Sequence, residues 1–303
     1  MQQSTSGLVR RTKFAKPRCL IVGCGDVGMR LLPHLVDRFR VFAVTSQGAS
    51  SERFAQLREA GAVPVFADLD QAITVKRLAG LANFIVHLAP PRSDGENDVR
   101  TQHLAAILPE KAHLVYISTT GVYGDCGGSQ FDETKSLNPN NARAKRRVSA
   151  EGILRAWAKR SGGQLSILRV PGIYAEDRLP IERLRKATPA LIEADDVFTN
   201  HIHAEDLACL IKLAMFRARP NRVYHAVDDS DLKMADYFDQ VADHFHLPRA
   251  PRLPRVELEK QVSLMLLSFM SESRRLLNQR IKVELGARLL FPTVGEALKQ
   301  IPT

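Results

Sequence analysis

The sequence predicts an α/β fold built on a doubly wound parallel sheet, and three observations support this. Apolar runs of strand length alternate with segments of helical spacing through the first half of the chain. These runs are continuous, which is typical of strands buried on both faces. The first run, at residues 19–22, leads directly into a glycine-rich turn and then a helical pattern. Because such units cross over with a right hand, a parallel sheet with helices on both faces is expected.

The glycine-rich turn has the spacing G-x-G-x-x-G, and a helical pattern follows it. In such a loop the first glycine permits a tight turn, the second lets the backbone approach a pyrophosphate, and the third lets helix and strand pack closely. Unpaired N–H groups at the helix N-terminus then face the phosphates. The pattern predicts a Rossmann-type NAD(P) site, and a purely structural turn is the alternative. The residues of this predicted site are Gly23, Gly25, Asp26, Val27 and Gly28.

Composition and charge narrow the class of protein. The chain has 303 residues, of which 45% are hydrophobic, and this suits one large or two modest domains. The net charge of +10 is spread in short clusters without interleaved aromatic residues. This favours a small acidic ligand over a nucleic acid. No apolar run approaches the roughly 20 residues of a membrane span, so no membrane partner is expected.

Three further features of the sequence bear on compartment, targeting and metal binding. The four cysteines are scattered without a C-x-x-C pair, which is typical of the reducing cytoplasm. Residues 1–17 are basic, and we expect a flexible tail there in preference to a targeting segment. We interpret His87 as structural because no partner lies at metal-ligand spacing. His201 and His203 alternate along a strand, but no metal site is predicted.

The end of the second predicted strand, at residues 41–45, bears on which cofactor is bound. In NAD-binding proteins an acid about 20 residues past the glycines holds the ribose 2′-hydroxyl. No acid lies there; the polar residues are Thr45, Ser46, Gln47, Ser50, Ser51 and Arg53. Hydroxyls and a guanidinium suit a 2′-phosphate, so NADP is expected in preference to NAD. Alternatively, Ser50 or Ser51 only caps the helix that ends at Gly61.

Later segments continue the alternation of strands and helices. Strands are predicted at residues 63–67, 84–89, 113–118 and 165–170, and helices at residues 71–78 and 96–108. A further helix ends at Gly162. Near the C-terminus, a basic linker with prolines at residues 249–255 leads into an apolar helix at about residues 256–270.

Several motifs together resemble the NAD(P)-dependent epimerase/dehydratase family, the extended and atypical short-chain dehydrogenases/reductases. They occur in the family's order after the tail. They are the loop at residues 23–28, Ala67-Asp68-Leu69, His87-Leu88-Ala89, residues 118–125 (STTGVYGD), residues 131–134 (FDET), residues 168–174 (LRVPGIY) and residues 200–207 (NHIHAEDL). The C-terminal stretch with Asn278 and residues 291–293 is also similar to the end of that family's substrate domain.

The resemblance implies an architecture and a cofactor site. It implies an NAD(P)-binding Rossmann-type domain at residues 18–175. Residues 176–303 would form a smaller substrate-covering part, with some segments returning to the first domain. It adds Asp68, Leu69, Leu88 and Ala89 to the expected cofactor contacts, together with Lys145.

The resemblance also implies a catalytic set of a Ser or Thr with Tyr-x-x-x-Lys on the following helix. Residues four apart share a helix face, so the ammonium can lower the phenol pKa. Thr119 and Lys145 match, but Asn141 stands where the tyrosine is expected, and an amide has no proton to exchange. Tyr123 is a substitute candidate for the acid/base. Alternatively, Lys145 is a surface member of a basic helix.

These observations lead to two hypotheses on function. The first is an NAD(P)-dependent oxidoreductase or epimerase acting on a hydroxyl or carbonyl compound, with a nucleotide sugar as one candidate. Arg178 is a candidate for binding a substrate phosphate or carboxylate. Thr120 and Gly121 occupy positions where the dehydratases of the family have an Asp-Glu pair, which argues against dehydration. The second hypothesis is a non-catalytic, redox-sensing NAD(P)-binding regulator. A homodimer is one expected assembly.

Overall fold

The computed structural model of the chain describes residues 16–48 and 51–302. Its strands lie within these ranges. They are β1 (Arg18–Val22), β2 (Arg40–Thr45), β3 (Val63–Phe66), β4 (Phe84–His87), β5 (His113–Thr119), β6 (Gln130–Phe131), β7 (Gln164–Val170), β8 (Gly172–Tyr174), β9 (Ala190–Leu191), β10 (Phe198–Thr199), β11 (His201–His203), β12 (Arg222–His225), β13 (Leu232–Lys233), β14 (Arg252–Leu253) and β15 (Arg275–Leu276).

The main sheet confirms the predicted fold class. Its seven strands have the order β12-β7-β5-β4-β1-β2-β3, and every neighbouring pair is parallel. The chain builds outward from β1 to β3 and then returns to the other side of β1 with β4. In open sheets of this kind, ligands bind outside the carboxyl ends of the strands where the order reverses. The crevice beside β1 and β4 is therefore the first place to look for a site.

Helices cover both faces of this sheet. The α-helices of the described residues are α1 (Asp26–Leu35), α2 (Glu52–Glu59), α3 (Ala72–Val75), α4 (Val99–Ala105), α5 (Ala142–Ser161), α6 (Ile181–Arg185), α7 (Ala204–Arg217), α8 (Met234–His244), α9 (Arg255–Leu258), α10 (Leu264–Met270), α11 (Gln279–Glu284) and α12 (Val294–Leu298). One apolar core joins the sheet to α1 and α7, and the other joins it to α4 and α5. Among the described residues, no helix is long and apolar enough to cross a bilayer.

The C-terminal part contributes to two cores. α7 and β12 belong to the main sheet and its helical layer, whereas α6, α8 and α12 surround a smaller core of their own. Buried residues of this smaller core include Tyr174, Leu184, Phe238 and Val294. Residues of this smaller core and residues at the carboxyl ends of sheet strands line the same cavity, so the core faces that edge of the sheet.

Polar side chains in the family motifs hold the C-terminal segment in place. Asp206 accepts hydrogen bonds from the backbone N–H groups of Leu290 (2.7 Å) and Phe291 (2.9 Å). Asn200 accepts one from the N–H of Leu276 (2.9 Å). Asn278 donates to the carbonyls of residues 227 and 228. Because buried backbone groups need such partners, these motif residues act through positioning.

Two predicted helices are shorter than the sequence suggested. The apolar helix predicted at about residues 256–270 is wrong as one element, because it is broken between α9 and α10, where the Ser263 side chain accepts from the N–H of Leu266 (3.3 Å) and caps α10. The helix predicted at residues 96–108 begins only at Val99, because Asp98 caps it. Of the expected tail, residues 1–15 lie outside the described part of the chain.

Candidate functional site

A cavity of about 590 Å³ lies at the carboxyl ends of β4, β5 and β7. The sheet contributes Pro90, Thr119 and Pro171, and the smaller C-terminal core contributes Tyr237 and Phe238. The cavity therefore lies between the two parts of the chain, at the sheet edge where α/β proteins bind their ligands.

The first and third glycines of the loop are needed for close packing. Gly23 has φ of +81°, and a Cβ there would lie 2.6 Å from the Cα of Ala89. Leu88 and Ala89 approach so closely because their N–H groups both donate to the carbonyl of Val22 (2.9 and 3.1 Å). A Cβ on Gly28 would lie 2.8 Å from the Cys24 sulfur. Strand, turn and helix pack as the motif predicts.

The second glycine has a different environment. No atom lies within 4 Å of a Cβ built on Gly25, and α1 begins at the next residue, Asp26. The first N–H groups of a helix have no partner within it, so those of Asp26, Val27 and Gly28 are available to an anion. The open side of Gly25 and this helix start together fit the pyrophosphate of a dinucleotide.

Arg53 reaches across the same loop from α2. Its guanidinium donates to the carbonyls of Cys24 and Gly25, the latter at 3.1 Å. Ser46 is exposed directly after β2, and Ser51 precedes α2 without a capping bond from its side chain. Ser50 lies outside the described residues. The described side chains expected at a 2′-phosphate thus include a guanidinium held at the loop and an exposed hydroxyl.

The remaining expected cofactor residues lie at the same edge of the sheet. Asp68 follows β3 and accepts hydrogen bonds from the N–H of Asp70 (3.0 Å) and the amide of Gln71 (3.0 Å). Leu69 is buried, and its carbonyl contacts the Nδ1 atom of His103 (2.8 Å). These contacts shape the turn after β3 beside the loop that follows β1.

Arg178 links the loop helix to the cavity. It lines the cavity, and its Nη1 atom lies 2.8 Å from Oδ2 of Asp26 at the start of α1. Arg30 also binds Asp26 and reaches Asp177 and Glu205. The charge of Arg178 is therefore matched by a carboxylate within the protein.

Thr119 is the last residue of β5 and lines the cavity, as do Thr120 and Gly121. The Thr119 hydroxyl accepts a hydrogen bond from the N–H of Gly121 at 3.2 Å, and this orients it at the start of a short 3₁₀ turn. A hydroxyl held in this way can donate its own proton to a ligand oxygen.

The structure does not bring Lys145 or Asn141 to this cavity wall. The Lys145 side chain is 43% exposed, and its Nζ atom lies 2.7 Å from Oε1 of Glu96. Asn141 caps α5 by accepting from the N–H of Ala144 (2.9 Å), and its amide donates to Glu272 (3.2 Å). Lys145 is thus placed as the surface member of the basic helix.

Arginines on α5 face the cavity instead. Arg143, Arg146 and Arg147 line it, because residues three and four apart share a helix face whereas Lys145 lies on the opposite side. The sequence signal was the basic run itself, with Arg143-x-x-x-Arg147 at the spacing expected for Tyr-x-x-x-Lys. Sequence reasoning missed this alternative register.

The partners of the two inner α5 arginines are neutral. Arg147 Nη1 donates to the carbonyl of Ile117 (2.9 Å) and to the hydroxyl of Tyr116 (3.1 Å). Arg146 Nη1 donates to the carbonyl of Gly95 (2.7 Å), and its Nε has no partner among the described residues. Arg146 is only 7% exposed. A buried guanidinium with spare donors favours an anion nearby.

Tyr123 lies outside the cavity lining, in a buried polar network. Its hydroxyl contacts His225 Nε2 and accepts from Arg169 Nη1, each at 2.6 Å. Arg169 in turn binds Glu151 (2.7 Å), which also accepts from the Ser118 hydroxyl (2.7 Å). Burial raises the pKa of Tyr123 to about 12. This placement makes Tyr123 a structural residue that joins β5, β7 and β12.

Aromatic groups form the opposite wall. Tyr174, His201 and Tyr237 line the cavity, and the rings of His201 and Tyr237 lie 4.3 Å apart. Burial lowers the pKa of His201 to about 4 and raises that of Asp228, behind this wall, to about 7. No group of metal-ligating side chains occurs within the residues that the structure describes.

Comparisons with known proteins agree with this architecture. The family model described as the RmlD substrate binding domain matches residues 25–263. No curated protein gives a significant match. A functionally unknown conserved protein from Silicibacter pomeroyi is 28% identical, with 94% of this chain and 97% of that chain covered and a TM-score of 0.77.

Two better-described structures share the fold at lower identity. The UDP-glucose 4-epimerase of Thermotoga maritima, solved with UDP-glucose, is 16% identical, with 93% and 96% coverage and a TM-score of 0.74. A dTDP-glucose 4,6-dehydratase double mutant from Streptomyces venezuelae, solved with NAD, is 18% identical, with 93% and 95% coverage and a TM-score of 0.72. The resemblance stated from the sequence motifs is confirmed.

Proposed function

The chain belongs to the family of the RmlD substrate binding domain, and from this premise we propose that it is an NADP-dependent oxidoreductase or epimerase. The observation that carries the proposal is the shared position of two features. The open side of Gly25 and the cavity at Thr119 lie at the same edge of one parallel sheet. A dinucleotide that starts at the loop can extend along this edge to the cavity.

The cofactor would be held by the loop and by the residues around it. The N–H groups at the start of α1 bind the pyrophosphate, and the missing Cβ of Gly25 leaves room for it. Arg53 would exchange its hydrogen bonds to the loop carbonyls for bonds to the 2′-phosphate, and the Ser46 hydroxyl would add another. These contacts favour NADP over NAD. Asp68, Leu69, Leu88 and Ala89 shape the adjoining strand ends. When bound, the nicotinamide supplies hydride transfer.

At the cavity, Thr119 is the residue assigned to the reacting oxygen. Its hydroxyl donates to the carbonyl or hydroxyl oxygen of the substrate and orients it. Arginine stays protonated near neutral pH, so the cavity face of α5 offers no general base. Lys145, Asn141 and Tyr123 lie outside this wall. Burial raises the pKa of the two phenols on the opposite wall, Tyr174 and Tyr237, so they stay protonated and proton exchange falls to water.

The substrate is a hydroxyl or carbonyl compound, and nucleotide sugars are a first group to test. The epimerase neighbour was solved with UDP-glucose, and both neighbours share the fold over more than nine-tenths of this chain. Arg178 lines the cavity, but Asp26 holds its charge, so a contact with substrate would require it to exchange partners.

A second candidate function is a redox-sensing regulator that binds NADP without turnover. The arginine face of α5 favours it, because two guanidinium groups stand at the spacing of the family's proton-transfer pair and cannot exchange protons at neutral pH. Binding and turnover measured on the same protein separate the two functions.

Calorimetric titration with NADPH tests the cofactor site. We expect Gly25→Val to weaken binding by about tenfold or more, because the side chain fills the space needed for the charge-assisted bonds of the pyrophosphate. Gly152→Val is the matched control, since Gly152 on α5 also has no atom within 4 Å of a built Cβ. Equal affinities in both variants, or no binding by the wild type, would overturn the proposal.

Turnover is tested with NADPH and a panel of ketones, hydroxy compounds and nucleotide sugars, followed by nicotinamide absorbance. Reduction or oxidation of any member that Thr119→Val slows supports the enzyme. Tight NADPH binding without turnover across the panel supports the regulator.

A further inference from the structure

The charges that line the cavity are unbalanced. Among its described lining residues are seven arginines and a single acid, Glu272. Three of these arginines bind carboxylates: Arg178 binds Asp26 (2.8 Å), Arg274 binds Glu272 (2.5 Å), and Arg92 lies 2.9 Å from Asp94. The remaining arginines are Arg143, Arg146, Arg147 and Arg183.

The partners recorded for three of those four are neutral. Arg146 and Arg147 bind backbone carbonyls and a phenol, as described above. Arg183 donates to the carbonyl of Pro189 (3.0 Å), and its guanidinium lies 4.2 Å from the centre of the Phe238 ring. A neutral carbonyl offsets much less of the cost of burying a charge than a carboxylate does.

Two of these guanidinium groups also have unused donors. The Nε atoms of Arg146 and Arg183 are buried and have no hydrogen-bond partner among the described residues. Burial lowers the pKa of Arg183 to about 10. Burial and the nearby charges of Arg274, Arg147 and Arg146 lower that of Arg143, against the attraction of Glu272. Arg146, Arg147 and Arg183 thus line one cavity, and the partners described for them are neutral.

We propose that the cavity binds a substrate through an anionic group, a carboxylate or a phosphate, held by Arg146 and Arg147 beside Thr119 with Arg183 on the opposite wall. This rests on the proposed function, because it describes the substrate of the same site. The group proposed here is an anion, whereas the group expected at the family's Tyr-x-x-x-Lys position is a sugar hydroxyl. A planar guanidinium binds both oxyanions with two parallel bonds, and an anion in the cavity supplies the negative charge that the described partners of Arg146, Arg147 and Arg183 lack.

The proposed anion site lies apart from the sites of the cofactor phosphates. Arg53 and the start of α1 lie after β1 and β2, whereas Arg146 and Arg147 lie beside the end of β5. Between them in the sheet lies β4. One ligand anion at each location is compatible with a ternary complex.

Thermal unfolding with citrate or inorganic phosphate, at constant ionic strength in chloride, tests the proposal without cofactor. Both probes should raise the melting temperature of the wild type, and the stronger of the two identifies the carboxylate or the phosphate as the preferred group. Arg146→Met should reduce probe affinity by about tenfold or more, since one charge-assisted interaction is lost. Arg183→Met gives an independent second variant from the opposite wall.

The matched control is Lys159→Met, which removes the same charge from an exposed position on α5. If it weakens probe binding as much as Arg146→Met does, only net charge matters and the proposal is wrong. An equal response of the wild type to chloride and to both probes would also overturn it. Gly25→Val should keep the probe response while losing NADPH, so failure of the anion site is distinguishable from failure of the cofactor site.

Discussion

Two buried arginines of this protein have opposite surroundings. Arg169, 3% exposed, donates to both carboxylate oxygens of Glu151 (3.1 and 2.7 Å) and to the Tyr123 hydroxyl (2.6 Å). Arg146, 7% exposed, donates to one backbone carbonyl and keeps a buried Nε without a partner among the described residues. Arg169 lies on β7 beside Ser118 of β5, whereas Arg146 lines the cavity.

This difference distinguishes a structural arginine, Arg169, from one proposed to bind a ligand, Arg146. A buried ion pair is tolerated when hydrogen bonds satisfy both partners, as around Arg169. A buried charge without an acid costs stability, and such a cost is typical of sites where an external ligand completes the interaction. The closed network, formed by Arg169, Glu151 and Tyr123 with their partners, therefore holds β5, β7 and β12 together. For Arg146, we propose that an external anion completes the interaction.

Removing the acid from the closed network should have the largest effect. Glu151→Ala leaves Arg169 buried without its carboxylate, and we expect the free energy of unfolding to fall by about 3–5 kcal/mol. Urea denaturation measures it. Lys159→Ala, on the exposed side of the same helix, should change stability by less than about 0.5 kcal/mol. A loss under 1 kcal/mol in Glu151→Ala would contradict the assigned role of the pair.

Adding a charge to the closed network by acid should also destabilise it. Burial lowers the pKa of His225 to about 3, so its contribution to stability is complete above pH 6.5 and is lost as the pH falls toward 3. The slope is up to about 1.4 kcal/mol per pH unit for one proton. In His225→Gln the dependence of unfolding free energy on pH between 4 and 6 should be shallower by about that amount. An unchanged slope would show that His225 protonates freely in the fold.

Arg53 extends the contrast to the cofactor loop, where a third arginine binds only carbonyls and a side-chain amide within the described residues. We expect Arg53→Gln to weaken NADPH binding by about tenfold to hundredfold, because a charge-assisted contact to the 2′-phosphate is lost. NADH affinity should stay within about twofold, since it lacks that phosphate. Fluorescence titration of both nucleotides checks this, and equal losses for both would remove the NADP preference.

Tyr123→Phe tests whether Tyr123 belongs to the buried network or to the cavity. It deletes the hydroxyl between Arg169 and His225 and should cost about 1–2 kcal/mol of unfolding free energy. NADPH affinity and any turnover should stay unchanged, because Tyr123 does not line the cavity. A variant of normal stability that has lost turnover would instead place Tyr123 in the chemistry.

Arg146→Met should have the smallest effect and the opposite sign. In buffer free of carboxylates and phosphates, removing an unmatched buried charge should raise the free energy of unfolding by about 1 kcal/mol. Chemical denaturation in chloride buffer measures this gain. A loss of more than about 1 kcal/mol would indicate that Arg146 is structural, like Arg169.

The fold and the loop were predictable because their signals are local. Continuous apolar runs indicate buried strands, and the spacing of Gly23, Gly25 and Gly28 determines a turn whatever follows it. The close approach of Ala89 to Gly23 then follows from the adjacent parallel strand. The same reasoning gave the polar end of β2, where Arg53 reaches the loop.

The wall at α5 was not predictable in the same way. Spacing shows which residues share a helix face, but the direction of that face depends on how the helix is docked and where it begins. Asn141 caps α5, and in the docked helix Arg143 and Arg147 point inward while Lys145 points outward. The surroundings of Tyr123 were not predictable for a related reason, since its partners Arg169 and His225 are distant in sequence.

The most direct test of the whole account is a calorimetric titration of NADPH into the wild-type protein saturated with citrate. Two separate anion sites at one sheet edge predict that NADPH binds with an affinity within about twofold of that measured without citrate. Absence of NADPH binding, or displacement of one ligand by the other, would contradict the account.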